Sequence, residues 1–254
     1  MSRIRPRAGV LAPLIPLVGI TLAAEIASRT GWLPPYLFPA PTAVMKTLIE
    51  DSALYRQAFF ETVIAAGVGL VLSMTAGLFS GLVLAASTRI RRMFYPYAIF
   101  FQTVPIIAIA PLLVIWLGYG LPTVIASAFI VSVFPVIANS VQGLTSTDAV
   151  SLQLFRMLGA TPTQTLFRLR LPAALPQILG GFRIAAGLSV IGAIVGEFIS
   201  GSGLGGLVDA SRNQQRVDRV FAAVLLAALL GILFFYFLSL IHPLVFRHEK
   251  TPEV

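Results

Sequence analysis

Six long runs of apolar residues constrain this chain more than any other feature. A helix needs about 20 apolar residues to cross the hydrocarbon core of a bilayer. The runs lack the strict alternation of polar and apolar residues that is typical of membrane barrel strands. Because lipid offers the backbone no hydrogen-bond partners, the runs favour helices. The predicted spans are 10–28, 61–86, 96–117, 122–141, 177–199 and 219–244.

The composition also indicates an integral membrane protein. Of 254 residues, 57% are hydrophobic and only 11% are charged, whereas soluble domains carry about 25% charged residues. With no cysteine and 2 histidines, a thiolate or histidine-rich metal site is excluded. The net charge of +8 does not indicate a nucleic-acid partner, because the arginines lie between apolar runs. We expect an all-α membrane protein with six transmembrane helices and a single domain, residues 1–254.

Basic residues between the spans predict the orientation, because cytoplasmic segments carry an excess of lysine and arginine. One set of flanks contains eleven basic and three acidic residues, and the other contains six basic and four acidic ones. The more basic set includes both termini and the segment between the fourth and fifth spans. We therefore expect a multi-pass protein of the bacterial inner (cytoplasmic) membrane with both termini in the cytoplasm.

The segment 146–172, between the fourth and fifth spans, predicts two short helices joined by a sharp turn. The first runs from Asp148 to Leu158 without a breaker and ends at Gly159, which adopts the left-handed conformation most easily. This helix has an apolar edge that fits a groove on another protein. It fits equally well a loop that packs on its own transmembrane bundle. The edge consists of Leu154, Phe155, Met157 and Leu158.

The second helix of this segment has a clear start. Thr161 stands at the cap position, Pro162 at the first helical position and Gln164 at the third, which is the pattern of a capping box. Pro172 is expected to end this helix near Leu171, since proline cannot continue the backbone ladder. We expect the resulting helix-turn-helix to lie on the cytoplasmic face.

A spaced motif runs through the same segment. Gly159 is followed after nine residues by Leu169, one further residue and the pair 171–172, Leu-Pro. The pattern resembles the signature of the inner-membrane permeases of binding-protein-dependent ABC importers, which is Glu-Ala-Ala, three residues, Gly, nine residues, Ile, one residue, Leu-Pro. Leucine replaces isoleucine here, and residues 153–155 are Gln-Leu-Phe in place of Glu-Ala-Ala.

The resemblance extends to LFPAPTAV, QTVPIIAIAPLLVIWLGYG and IGAIVGEFISGSGLGGLV, which are similar to the nitrate, sulfonate and taurine branch of these permeases. It implies the type I ABC importer fold, a homodimer of permeases, two cytoplasmic ABC ATPase subunits and a periplasmic or lipid-anchored solute-binding protein. The implied solute is nitrate, a sulfonate or taurine. Related permeases for pyrimidine-type vitamin precursors and riboflavin provide the alternative.

The chain lacks the phosphate-binding loop of an ATPase. That loop ends in Gly-Lys followed by Ser or Thr, and neither Lys46 nor Lys250 follows glycine. We therefore expect no catalytic residue and no cofactor in this chain, with ATP and Mg²⁺ on the partner ATPase. The residues expected to couple to that partner are Leu154, Phe155, Met157, Leu158, Gly159, Ala160, Thr161, Gln164, Leu171 and Pro172.

A solute path is predicted near the prolines of the third and fourth spans, which bend helices or act as hinges. Polar side chains nearby either line this path or form hydrogen bonds between helices. The glycine-rich segment after Glu197 fits either a flexible exit loop or an outer gate that contacts the binding protein. The candidate path residues are Gln102, Thr103, Ser132, Asn139 and Glu197.

Parts of the sequence also resemble features of two other classes of membrane protein. Ser189 and His242 on different spans suggest a rhomboid-like serine protease, but Val190 stands where that motif has glycine. A channel or secondary transporter needs ionisable groups within the spans. Its candidates are Glu25, Arg183 and Glu197, none of which is predicted at the membrane midplane.

Overall fold

The structure is a computed structural model that describes residues 14–245. Within that range the chain is helical and contains no strand. A π-helical turn, Leu166–Arg170, lies between the short helix Pro162–Thr165 and the long helix Leu171–Ser200. The helices are α1 (Leu14–Arg29), α2 (Pro41–Glu50), α3 (Ser52–Ala86), α4 (Thr88–Thr103), α5 (Ile106–Leu117), α6 (Leu121–Thr145), α7 (Ala149–Met157), α8 (Pro162–Thr165), α9 (Leu171–Ser200), α10 (Gly203–Asn213) and α11 (Val217–Val245).

Four helical segments are long and apolar enough to cross a membrane. They coincide with the second, fourth, fifth and sixth predicted spans. The first predicted span coincides with α1, which has 16 described residues, while residues 10–13 of that span lie outside the described part of the chain. The four segments are Ser52–Ala86, Leu121–Thr145, Pro162–Ser200 and Val217–Leu240.

The third predicted span, 96–117, is wrong as a single helix. It consists of the end of α4 and all of α5, and these two helices meet at an angle of 97°. Val104, between them, has an extended backbone with ψ 123°, and Pro105 precedes the first residue of α5. Proline disfavours the helical conformation in the residue before it and donates no N–H, so the helix breaks at this position.

Small residues build the centre of the bundle, where α3, α6 and α9 pack together. A Cβ atom added at Gly69 would lie 2.5 Å from the Cβ of Ala128, and one at Gly77 would lie 2.7 Å from the Cβ of Val136. The backbones of α3 and α6 therefore approach too closely for larger side chains. Such close packing is the main source of helix association in a membrane, where burial of apolar surface gives little advantage.

The prediction that Pro172 ends the second short helix is also wrong. The helix continues from Pro162 to Ser200 over 39 residues. In the π-helical turn the N–H of Leu171 donates to the carbonyl of Leu166, five residues back. This wider turn changes the hydrogen-bond register immediately before the proline, which has no N–H to donate. The short helix α8 is thus continuous with the long spanning helix α9.

Candidate functional site

The candidate coupling element begins at α7, which is capped at both ends. Ser151 donates its backbone N–H to the carboxylate of Asp148 at 3.0 Å, and this bond lowers the pKa of Asp148 below its ordinary value. Gly159 has φ +72°, which confirms the predicted left-handed end. Its N–H donates to Arg156 and the N–H of Ala160 donates to Phe155, each at 3.0 Å. These paired bonds fix the direction in which the chain leaves α7.

The capping box at the start of α8 is confirmed. The N–H of Gln164 donates to the hydroxyl of Thr161 at 3.2 Å, and the N–H of Thr161 donates to the side-chain oxygen of Gln164 at 2.8 Å. Pro162 occupies the first turn, as expected. The turn 158–161 is therefore held on both sides by local hydrogen bonds, and α7 has a defined orientation relative to α8.

The outer face of α7 is apolar and exposed. Met157 is 86% exposed, Leu158 73% and Leu154 53%, while Phe155 is half-buried. Val150, which the sequence reasoning did not include, is as exposed as Leu158. The helix has no buried residue. Within the described chain, this edge does not pack on the transmembrane bundle.

The remaining coupling candidates lie in the turn after α7 and at the start of α9. Ala160 is half-buried in the turn, and Leu171 and Pro172 begin α9. A cleft of about 390 Å³ between α7 and α8 is lined in part by the guanidinium side chains of Arg156 and Arg170. The element thus presents an apolar edge with basic side chains beside it.

Two of the candidate path residues form local hydrogen bonds. The buried hydroxyl of Ser132 lies 2.6 Å from the hydroxyl of Ser73 on α3. The amide of Asn139 donates to the carbonyl of Pro135, four residues earlier in α6, at 2.8 Å. Both groups have the partners that a polar side chain requires in an apolar medium.

The other two candidates near the bend are exposed. Thr103 donates its hydroxyl to the carbonyl of Phe100 at 2.7 Å. Gln102 lines a cleft of about 270 Å³ beside the break between α4 and α5, together with Pro135 and Leu188. Gln102 is therefore the candidate path residue whose side chain borders a cavity, whereas Ser132 is enclosed between helices.

Glu197 lies elsewhere, at the far end of α9 from the coupling element. Its side chain is only 1% exposed and accepts the N–H of Gly205 at 2.9 Å. The interpretation of the following segment as a flexible exit loop is wrong, because residues 203–213 form the helix α10. The structure therefore separates Glu197 from the four other candidate path residues.

Charged groups at this end of the bundle form a network that sequence reasoning missed. Asp218 accepts the hydroxyl of Thr47 at 2.8 Å and the guanidinium of Arg216 at 2.9 Å. Arg219 pairs with Asp51 at 2.8 Å. These bonds hold α2 and the start of α3 against the start of α11. The Thr47–Asp218 and Asp51–Arg219 pairs each join residues more than 160 positions apart, so no local pattern could have found them.

Two of the residues proposed for the competing classes, Ser189 and Glu25, have structural partners. The hydroxyl of Ser189 is buried and donates to the carbonyl of Ala186 at 2.9 Å, and the side chain of His242 lies outside the described residues. Glu25 pairs with Arg29 and accepts the N–H of Thr42 at 3.0 Å. Glu25 therefore caps α2.

Four or five apolar spans and a protruding helix-turn-helix, within the described residues, define a helical membrane protein. Residues 60–247 match the family described as the binding-protein-dependent transport system inner membrane component, and the chain belongs to this family. It is accordingly a multi-pass permease of the ABC transporter class.

Similar proteins carry related names. The chain is 36% identical over 229 residues to a probable ABC transporter permease of Haemophilus influenzae, with 89% of this chain and 93% of that protein covered. It is 37% identical over 227 residues to the formylaminopyrimidine transport permease ThiX of Halalkalibacterium halodurans, covering 89% and 90%. It is also 28% identical over 244 residues to a putative aliphatic sulfonates transport permease of Bacillus subtilis, covering 94% and 88%.

A solved structure shares the fold. The MetNI methionine ABC transporter, in an inward-facing conformation, has a chain that aligns with a TM-score of 0.68 at 20% identity. The alignment covers 76% of this chain and 97% of that one. This likeness confirms the predicted type I importer permease architecture and carries no information about the solute.

Proposed function

We propose that the protein is the transmembrane permease of an ATP-driven importer and forms the path for a small solute delivered by an external binding protein. The observation that carries this proposal is the exposed apolar edge of α7. Large apolar side chains at this level of exposure on a capped helix fit insertion into a groove of another protein. In a family that works with ATPase subunits, the ATPase is the natural occupant.

The geometry of the coupling element supports a route for mechanical force. The capping box fixes the turn, and α8 continues without interruption into α9. A displacement of α7 by the ATPases would therefore move α9 as a rigid body. It would also move α6, because the short segment 146–148 connects α6 to α7. Spans α6 and α9 are the two that pack most closely on α3, so their movement would open or close the centre of the bundle.

The proposed assembly has two permease chains, two ATPases that hold ATP and Mg²⁺, and one solute-binding protein. The orientation follows from the arginine distribution, with the termini and α7 in the cytoplasm. Helices α2 and α10 then lie on the outer side, where the binding protein docks. Membrane lipid surrounds the exposed apolar faces of α1 and α11.

The names of the relatives support two classes of solute. The 37% identical relative is named for formylaminopyrimidine, which favours a pyrimidine-type vitamin precursor. Relatives of 27–30% identity are named for aliphatic sulfonates and taurine, and one of 31% identity is named for riboflavin. The external binding protein is expected to select among them.

Reconstitution of the full assembly in proteoliposomes tests this function. We expect uptake of one of these solutes to require ATP, the ATPase and the binding protein together. Uptake driven by an ion gradient without the ATPase would contradict the proposal and favour a secondary transporter. Formylaminopyrimidine, taurine, an alkane sulfonate and riboflavin, each assayed with the binding protein encoded alongside, would distinguish the solute classes.

A further inference from the structure

The first turn of α10 is held by side chains from two spanning helices. A helix leaves its first backbone N–H groups without internal partners, and a capping residue usually satisfies one of them. Ser202, which precedes α10, makes no side-chain cap. Three successive N–H groups instead donate to acceptors on α3 and α9. The pairs are Gly203 with Glu61 at 3.0 Å, Leu204 with Thr62 at 3.0 Å and Gly205 with Glu197 at 2.9 Å.

The next N–H group, that of Gly206, donates to the carbonyl of Ser202 at 2.8 Å. Every N–H group of the first turn is thus accounted for. Thr62 can accept because its own hydroxyl proton goes to the carbonyl of Ala58 at 3.0 Å. The two carboxylates lie at the positive end of the α10 dipole, which is where negative charge is most favourable.

The glycines of α10 allow its backbone to pack closely against α9, and they do not indicate a flexible segment. A Cβ atom at Gly205 would collide with the carbonyl of Ile194 on α9, and one at Gly203 would collide with the carboxylate of Glu197. A Cβ atom at Gly206 would lie 2.8 Å from the carbonyl oxygen of Gly201. The backbone of α10 therefore lies directly on the end of α9, and only glycine leaves room for this approach.

The far part of α10 is attached as well. The guanidinium of Arg212 lies 5.4 Å from the ring centroid of Phe198 on α9, within the range of a cation–π interaction. Leu207 and Val208 pack against a buried cluster that contains Val44 of α2 and Ala222 of α11. The helix is thus fixed along its length and not only at its first turn.

We propose that Glu61, Thr62 and Glu197 are positioning residues that make α10 one rigid body with α3 and α9. Since α10 lies on the outer side in the proposed function, it is a fixed part of the outer mouth that moves only when these spans move. Glu197 accordingly holds α10 in place and does not contact the solute. This assignment differs from that of an outer gate that opens independently of the spans.

Pulsed electron–electron double resonance tests the rigid body directly by measuring the distance between two spin labels. Because the chain has no cysteine of its own, the labels attach only at the two cysteines that are introduced. Labels at Asn213→Cys on α10 and Leu72→Cys on α3 use exposed positions outside the three contacts. Singly labelled chains identify distances that arise between permease copies. In the complete assembly, we expect one narrow distribution that is the same without nucleotide and with a non-hydrolysable ATP analogue. A shift larger than the width of the distribution would overturn the proposal.

Variants of the carboxylates provide the second measurement. Glu197→Leu removes an acceptor and should broaden the distribution, whereas Glu197→Gln retains an acceptor oxygen and should keep it narrow. Glu61→Leu provides the same test at a half-buried position if Glu197→Leu fails to fold, and Glu50→Leu on the exposed face of α2 is the matched control. A narrow distribution in the Leu variants would contradict the assignment. Because these distances need no transport, a failure of the assembly to import solute would refute the proposed function alone.

Discussion

Truncation of the exposed α7 edge should weaken the complex with the ATPase without destabilising the permease. Met157 and Leu158 are 86% and 73% exposed, so the isolated permease gains little from their burial. Complete burial of such a side chain in a partner contributes about 1.5–3 kcal/mol. Replacement of both by alanine should then remove roughly 2–4 kcal/mol of binding free energy, since the Cβ atoms remain. This loss corresponds to an increase of about 30- to 700-fold in Kd.

The assay is titration of the purified, detergent-solubilised permease with its ATPase. We expect a higher Kd for Met157→Ala/Leu158→Ala and a melting temperature equal to that of the unaltered chain. Replacement of the pair by aspartate should abolish the complex, because it places charge in an apolar contact. Ile49→Ala, an equally exposed position on α2 at the opposite end of the bundle, is the matched control. A Kd unchanged by the double alanine variant would refute the docking assignment.

Four further predictions follow from the described contacts. Gly159→Val should reduce ATPase retention while Gly159→Asn retains more of it, because φ +72° excludes β-branched residues but admits asparagine; co-purification measures both. Thr161→Ala should destabilise the turn by about 1 kcal/mol, with faster hydrogen exchange in α8, and unchanged exchange would contradict the capping role. The pKa of Asp148 is lowered by the N–H of Ser151, so its cap should persist above the ordinary pKa of about 3.9 and weaken as the pH falls through the lowered value. Asp148→Asn should lose this pH dependence of α7 exchange. Gly77→Leu should prevent folding or lower the melting temperature strongly, since even a Cβ atom added at this position would collide with Val136. Gly19→Leu should not, because Gly19 has open space around it.

Local signals in the sequence predicted much of the coupling element. Gly159, Thr161 and Gln164 act through bonds to residues at most four positions away, so their spacing alone indicates the turn and the box. Pro172 misled the same reasoning, because a π-helical turn absorbs the missing donor and the helix continues. A wider turn of this kind leaves no residue pattern that sequence reasoning can recognise.

The outer end of the bundle could not be predicted in the same way. The glycines at the start of α10 have the composition of a loop, yet the helix begins on acceptors 142 residues earlier in the chain: Glu61 accepts the N–H of Gly203, and Thr62 accepts that of Leu204. The break at Pro105 shows the opposite case, because the apolar run continues across it and hides the 97° bend. Hydrophobicity located the spans, whereas tertiary contacts and backbone donors decided how their ends are arranged.

Site-directed cross-linking in native membranes tests the central claim, that α7 is the element that contacts the ATPase. A single cysteine is introduced at Met157, in a chain that has none of its own, and the complete assembly is treated with a short thiol-to-amine reagent. The account predicts a cross-linked product that contains the permease and the ATPase for Met157→Cys and none for Ile49→Cys at the opposite end. Absence of the product at Met157, or its formation at Ile49 instead, would contradict the account.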